Sequence, residues 1–191
     1  MLRPEREFVA ILDFGSQYTQ LIARRIREQA VFSRILPFNI PIKELKELAP
    51  NGIILSGGPS SVYDKAAPLC DPKIFELAVP ILGICYGMQL MAHLLGGRVV
   101  AARKREYGRA ELNIDRKNPL LDGLSERTMV WMSHGDKVEE IGTGFEVWAH
   151  TKDTPFAAVG STANLFYGIQ FHPEVIHTEE GERIIKNFLF F

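Results

Sequence analysis

Cysteine is scarce: the chain of 191 residues carries only Cys70 and Cys85. Two thiols cannot make a disulfide framework, so a reducing, cytoplasmic location is expected. Long apolar runs are missing too. None approaches the roughly 18 residues of a membrane span, so no membrane partner is expected. The start, Leu2-Arg3-Pro4-Glu5-Arg6-Glu7, is charged and leads into a short apolar stretch, unlike a signal peptide. Neither sign of charge dominates. The 22 Lys and Arg nearly balance 23 Asp and Glu, leaving a net charge of −1 and no electrostatic case for nucleic acid. Repeats, low-complexity segments, zinc-type Cys or His pairs and Gly-rich nucleotide loops are absent from the sequence. What remains, 46% hydrophobic and 24% charged, is ordinary globular composition. One domain over residues 1–191 is expected, with no metal or cofactor of its own.

The first half alternates strand and helix signals. Phe8–Leu12, Val31–Leu36, Gly52–Leu55 and Pro80–Ile84 read as strands covered on both faces. Between them, Gln17–Glu28 and Pro41–Leu48 read as helices, and Met88–Leu95 as another, stopped by Gly96-Gly97. Arg24, Arg25 and Arg27 fall on the wet face of their helix. After Gly97 the pattern turns β-rich, with strands at Ala110–Ile114, Thr128–Met132, Phe145–Ala149, Ala157–Gly160 and Leu165–Phe171. Arg103–Gly108 reads as a charged loop between strands. A last helix is expected from about Glu179, with Thr178 as its N-cap. The fold class is therefore α/β. It has an open, mostly parallel central sheet with helices on both faces, and a small antiparallel β portion in the second half.

Gly83-Ile84-Cys85-Tyr86-Gly87 carries the chemistry. It lies where a buried strand meets a helix, the setting of a nucleophile elbow, with Cys in place of Ser. The strained turn needs small neighbours two residues before and after the nucleophile. The helix N-terminus beyond supplies unpaired N–H groups and a partial positive charge, which favour a thiolate. A base is needed next. Of His93, His134, His150, His172 and His177, the best placed is His172, which ends an apolar strand. Glu174 lies two residues on, on the same side of an extended chain, able to hold the second imidazole nitrogen. His93 reads as a packed helix residue. The Tyr86 N–H is one oxyanion donor by position, and the Ser56-Gly57-Gly58-Pro59 loop after the third strand suits a second. Asp13-Phe14-Gly15 matches a kinase tripeptide in letters only, because the other kinase motifs are missing.

Together Gly83–Gln89, Ser56–Pro59 and Phe171–Glu174 resemble the three signatures of the class I, triad-type glutamine amidotransferases. The resemblance spans nearly the whole chain. Asp13–Tyr18, Ser60–Tyr63, Arg105–Gly108 and Trp131–Asp136 are similar to the amidotransferase domain of the GMP synthase subgroup. The resemblance implies hydrolysis of glutamine to glutamate and ammonia through a γ-glutamyl thioester on Cys85, with His172 moving protons. It implies an oxyanion hole from Gly58 and Tyr86, and substrate contacts from Gln89, Ser133 and Gly135. It also implies a partner, an ATP-pyrophosphatase (synthetase) domain or subunit that uses ATP and Mg to convert XMP to GMP. That part is absent from this chain, as from a separate subunit or an excised domain. A thiol γ-glutamyl hydrolase or peptidase, or an amidotransferase serving another acceptor, would share the triad. A binding module with a degenerate site is disfavoured by the intact Cys85, His172 and Glu174.

Overall fold

The computed structural model describes residues 7–190, with the side chains of Arg103 and Lys104 excepted. The charged start at residues 2–6 and the terminal Phe191 lie outside the described residues. Apolar runs form the central strands because both of their faces are covered. Strand β1 (Phe8–Asp13) is flanked by parallel β2 (Phe32–Pro37) and β3 (Gly52–Leu55), and β4 (Ile81–Ile84) follows. Alternate residues feed separate cores. Val9, Ile11, Ile54, Leu82 and Ile84 pack on one face, and Ala10, Leu12, Ile53, Leu55 and Ile81 on the other. Helix α1 (Thr19–Glu28) covers the first face through Ile22, Ala23 and Ile26. Helices α2 (Ile42–Leu48) and α3 (Tyr86–Leu94) cover the second, through Leu45, Met88, Leu90 and Met91.

The remaining strands are β5 (Arg98–Ile114), β6 (Arg127–Glu140), β7 (Glu146–His150), β8 (Ala158–Ser161) and β9 (Phe166–Ile169), and α4 (Gly181–Phe190) ends the described chain. Among the described residues, the nine strands join one sheet in the order β2-β1-β3-β4-β9-β8-β7-β5-β6. β9 runs parallel to β4, while β8, β7, β5 and β6 pair antiparallel. The expected class, a mostly parallel α/β sheet with an antiparallel portion, is the observed one. α4 docks beside α1 on the first face through Ile184, Ile185 and Phe188.

Four local expectations are corrected. Arg103–Gly108 is not a loop: β5 runs through it, with a register shift between Ala101 and Glu106. Ala101 pairs with Asp136 and Glu106 with His134, so the extra residues of β5 bulge out opposite Gly135. Glu106, Tyr107 and Gly108 pair along β6, which charge patterning alone does not reveal. Thr178 does not cap the last helix, which starts at Gly181. Its hydroxyl donates instead to the His172 carbonyl and accepts from the Trp131 N–H, tying the turn after His172 to β6. His93 is exposed rather than packed, because α3 turns its end to solvent. Arg25 is more than a wet-face residue, since its Nε donates to the Glu174 carbonyl at 3.0 Å.

Candidate active site

The carboxyl ends of β3, β4 and β9 meet at one edge of the sheet, where open α/β folds place their sites. Cys85 follows β4 immediately and precedes α3. Its φ of +52° and ψ of −108° are a strained combination for a residue with a Cβ. The flanking glycines are required by contact. A Cβ on Gly83 would stand 2.6 Å from the Met88 nitrogen, and one on Gly87 would press into the Leu55 carbonyl. Both distances are backbone approaches that cannot be relieved by a rotamer change. Cys85 is buried and free, and its Sγ lies 3.5 Å from the Ser133 carbonyl and 3.6 Å from Gln170 Nε2.

His172 comes off the end of β9. Its Nδ1–H donates to Glu174 Oε1 at 2.8 Å, and the Glu174 side chain is fully buried. Burial would lower the His172 pKa. Hydrogen bonds with Cys85 and Glu174, together with their negative charge, outweigh that and lift it to about 10. The imidazole is thus protonated at neutral pH, facing Cys85 on one side and Glu174 on the other. Tyr18 packs edge-on against the ring at 5.1 Å. By contrast, burial pushes the Cys70 thiol up to about 12, which makes it a poor nucleophile.

A cavity of about 690 Å³ opens over these residues. Cys85, His172, Gly58, Gln89, Ser133 and Gly135 all line it, so the structure brings the sequence-predicted residues together. Tyr86 occupies the first position of α3, where its N–H has no acceptor four residues back in the helix. Its ring is buried and its hydroxyl donates to the Pro68 carbonyl. A Cβ on Gly58 would stand 2.7 Å from the Phe14 carbonyl, so only glycine allows this loop to approach the site so closely. Gln89 Nε2 donates to the Asp136 carbonyl at 3.0 Å and to Gln170 Oε1 at 3.2 Å.

Sequence reasoning missed Gln170, which touches both the Cys85 sulfur and Gln89. Its place one β-period before His172 was the available signal. It also missed the buried partners of His134, described below. His150 pairs with Asp115 and His177 stacks on Trp131, away from the thiol. Among the described residues no group of three His, Cys, Asp or Glu side chains is arranged to hold a metal, and no helix is long and apolar enough to cross a membrane.

Comparison with known proteins agrees with this geometry. Residues 10–190 match the family Glutamine amidotransferase class-I. GMP synthase [glutamine-hydrolyzing] of Nostoc sp. is 55% identical over 186 residues, which are 97% of this chain and 34% of that protein. The protein of the same name from Natranaerobius thermophilus is 55% identical over 185 residues, 97% of this chain and 36% of that one. The chain thus spans about a third of the length of these curated relatives. Among solved structures, a candidate GMP synthase subunit of Thermoplasma acidophilum superposes with a TM-score of 0.88 at 29% identity, over 98% of this chain and 94% of that one.

Proposed function

The chain belongs to the class-I glutamine amidotransferases, and on that premise we propose that Cys85, His172 and Glu174 are its catalytic triad and that it supplies ammonia for the conversion of XMP to GMP. One observation carries the reading. A cysteine in strained backbone at a strand–helix turn shares a cavity with a protonated histidine, itself held by a buried carboxylate.

In the proposed cycle, Cys85 Sγ attacks the side-chain carbonyl carbon of glutamine and a C–S bond forms. The carbonyl oxygen takes up negative charge and faces the N–H groups of Gly58 and Tyr86. His172 donates its proton to the amide nitrogen, the C–N bond breaks, and ammonia leaves a γ-glutamyl thioester. Water then attacks the thioester and gives its proton to His172. The C–S bond breaks and glutamate departs, so glutamine plus water becomes glutamate plus ammonia. Glu174 keeps the His172 ring oriented and balances its charge throughout. Gln89, with the backbone of Ser133 and Gly135, holds the amino-acid end of the substrate.

The acceptor side rests on the GMP synthase relatives, of which this chain matches only a third. The proposed partner is an ATP-pyrophosphatase domain or subunit that uses ATP and Mg to activate XMP. No cofactor is assigned to the glutaminase chemistry itself, and the proposed location is the cytoplasm. The β5 bulge, with Arg105 at the cavity and Tyr107 61% exposed, is the proposed docking edge. The test is glutamate release by the chain, alone and with its synthetase. Cys85→Ala should abolish glutamine-dependent GMP formation yet keep formation from added ammonium. Wild-type glutamine turnover in Cys85→Ala would remove the nucleophile assignment. Loss of both activities would indicate a structural defect instead.

A further inference from the structure

A second buried polar cluster lies beside the triad, and the cycle above leaves it unused. Glu106 on β5 and His134 on β6 are cross-strand partners at the first register pair after the bulge. The hydroxyls of Thr151 and Thr154, from the turn between β7 and β8, donate to Glu106 Oε1 at 3.0 Å and Oε2 at 2.5 Å. His134 Nε2 stands 3.5 Å from Glu106 Oε2, with the two side chains only 3% and 12% exposed. Burial would raise the Glu106 pKa, but the bonds from His134, Thr154 and Thr151 outweigh it and hold the carboxyl below its usual range. A buried charged group of this kind is weak evidence for stability, so what it orients matters more.

It orients a carbonyl. His134 Nδ1–H donates to the Asp136 carbonyl at 2.8 Å, and the same carbonyl accepts from Gln89 Nε2 at 3.0 Å. The other Nε2 hydrogen of Gln89 goes to Gln170 Oε1 at 3.2 Å. Both amide hydrogens are spent, so the group Gln89 can offer to a ligand is its oxygen. An unconstrained amide could turn over and offer hydrogens instead. The Asp136 peptide also needs such a brace. It adjoins Gly135, directly opposite the bulge, where the ladder of β5 and β6 is interrupted.

We propose that the Glu106–His134 pair is a positioning device for substrate selection: by fixing the Asp136 carbonyl it fixes Gln89 with its amide oxygen as the acceptor, so that the site takes amides that carry an α-ammonium group. The inference deepens the reading of Gln89 as a substrate contact and rests on it. His134 and Glu106 act through Gln89 and do not touch the reacting atoms.

The experiment compares two probes for their labelling rate at Cys85, read by peptide mass on the chain of 191 residues. One is a glutamine analogue with a diazoketone in place of the amide, which keeps the α-ammonium group. The other is iodoacetamide, which lacks it. His134→Ala should slow the analogue about tenfold, the effect of one lost hydrogen bond, and leave iodoacetamide within about twofold. Glu106→Gln should act in the same direction. His134→Asn, whose Nδ2 can take over the bond to Asp136, should restore most of the analogue rate. Equal slowing of both probes, or no slowing of either, would overturn the proposal. Selective slowing in Gln89→Leu with a wild-type rate in His134→Ala would overturn the device and leave the substrate reading standing. A wild-type Cys85 that the analogue does not label would overturn both.

Discussion

Gly87→Ala is the most informative single methyl group to add. Two effects oppose each other. Gly87 lies in the first turn of α3, and alanine is favoured over glycine in a helix by about 1 kcal/mol. Against this, the new Cβ would press into the Leu55 carbonyl and stand 2.7 Å from the Leu55 carbonyl carbon, where ordinary contact begins at 3.4 Å. The gap must open by at least 0.7 Å, and neither side is a flexible side chain. Overpacking of this kind costs about 1–3 kcal/mol, so the clash wins and the protein loses stability. The catalytic effect should be larger than the stability effect. Leu55 ends β3, and the loop after it carries Gly58, while α3 carries Cys85 at its start. Forcing β3 and α3 apart separates the proposed nucleophile, Cys85, from Gly58, one of its two proposed oxyanion donors. A misplacement near 1 Å costs about 10²-fold in rate. The assay is glutamate release alongside urea denaturation, with Gly96→Ala as the control. Gly96 has a positive φ, +86°, unlike the helical Gly87, and nothing lies within 4 Å of its added Cβ. It should therefore lose about 1 kcal/mol and no activity. Wild-type turnover in Gly87→Ala would show that the close approach of α3 to Leu55 does not set the geometry of the site.

Other predictions follow from the same structure. The His172 pKa of about 10 lies above its ordinary 6.5, so its proton stabilises the folded state fully below pH 6.5 and that contribution is lost as pH rises toward 10. Wild-type urea midpoints should fall across that window, and His172→Gln should lack this component of the fall. Glu174→Ala should lower kcat for glutamate release by about 10²-fold or more, with a smaller change in KM, because it removes the partner of Nδ1 rather than a substrate contact. Trp148 is fully buried, with Gly160 directly beneath its ring. Trp148→Ala should cost about 3–5 kcal/mol in urea denaturation. Charge reversal by Arg105→Glu should weaken activation by the synthetase while leaving glutamine labelling of the isolated chain near wild type. Unchanged activation would remove the bulge from the docking edge.

The parallel half was readable because its strands are apolar on both faces. Phe8–Leu12 and Gly52–Leu55 announce a covered sheet without any tertiary knowledge. The elbow was readable because two glycines and a cysteine at fixed spacing have few other uses. The antiparallel arm was less so. β5 carries charges along its exposed length, and Glu106 and Tyr107 pair along β6 in spite of a loop-like composition, with Arg105 in the bulge beside them. The Glu106–His134 contact was hidden for the same reason, since a bulge sets its register and the two residues lie far apart in sequence. Thr178 shows the opposite failure. Its local signal as a cap was plausible, but the His172 carbonyl and the Trp131 N–H compete for the hydroxyl and win it.

Trapping the covalent intermediate tests the role of Cys85 most directly. The chain is mixed with glutamine, quenched in acid within a turnover, and digested for peptide mass. A γ-glutamyl group is expected on the peptide containing Cys85, none on that containing Cys70, and none anywhere in Cys85→Ala. Glutamate release with the γ-glutamyl group on another residue, or undiminished release in Cys85→Ala, would contradict that role.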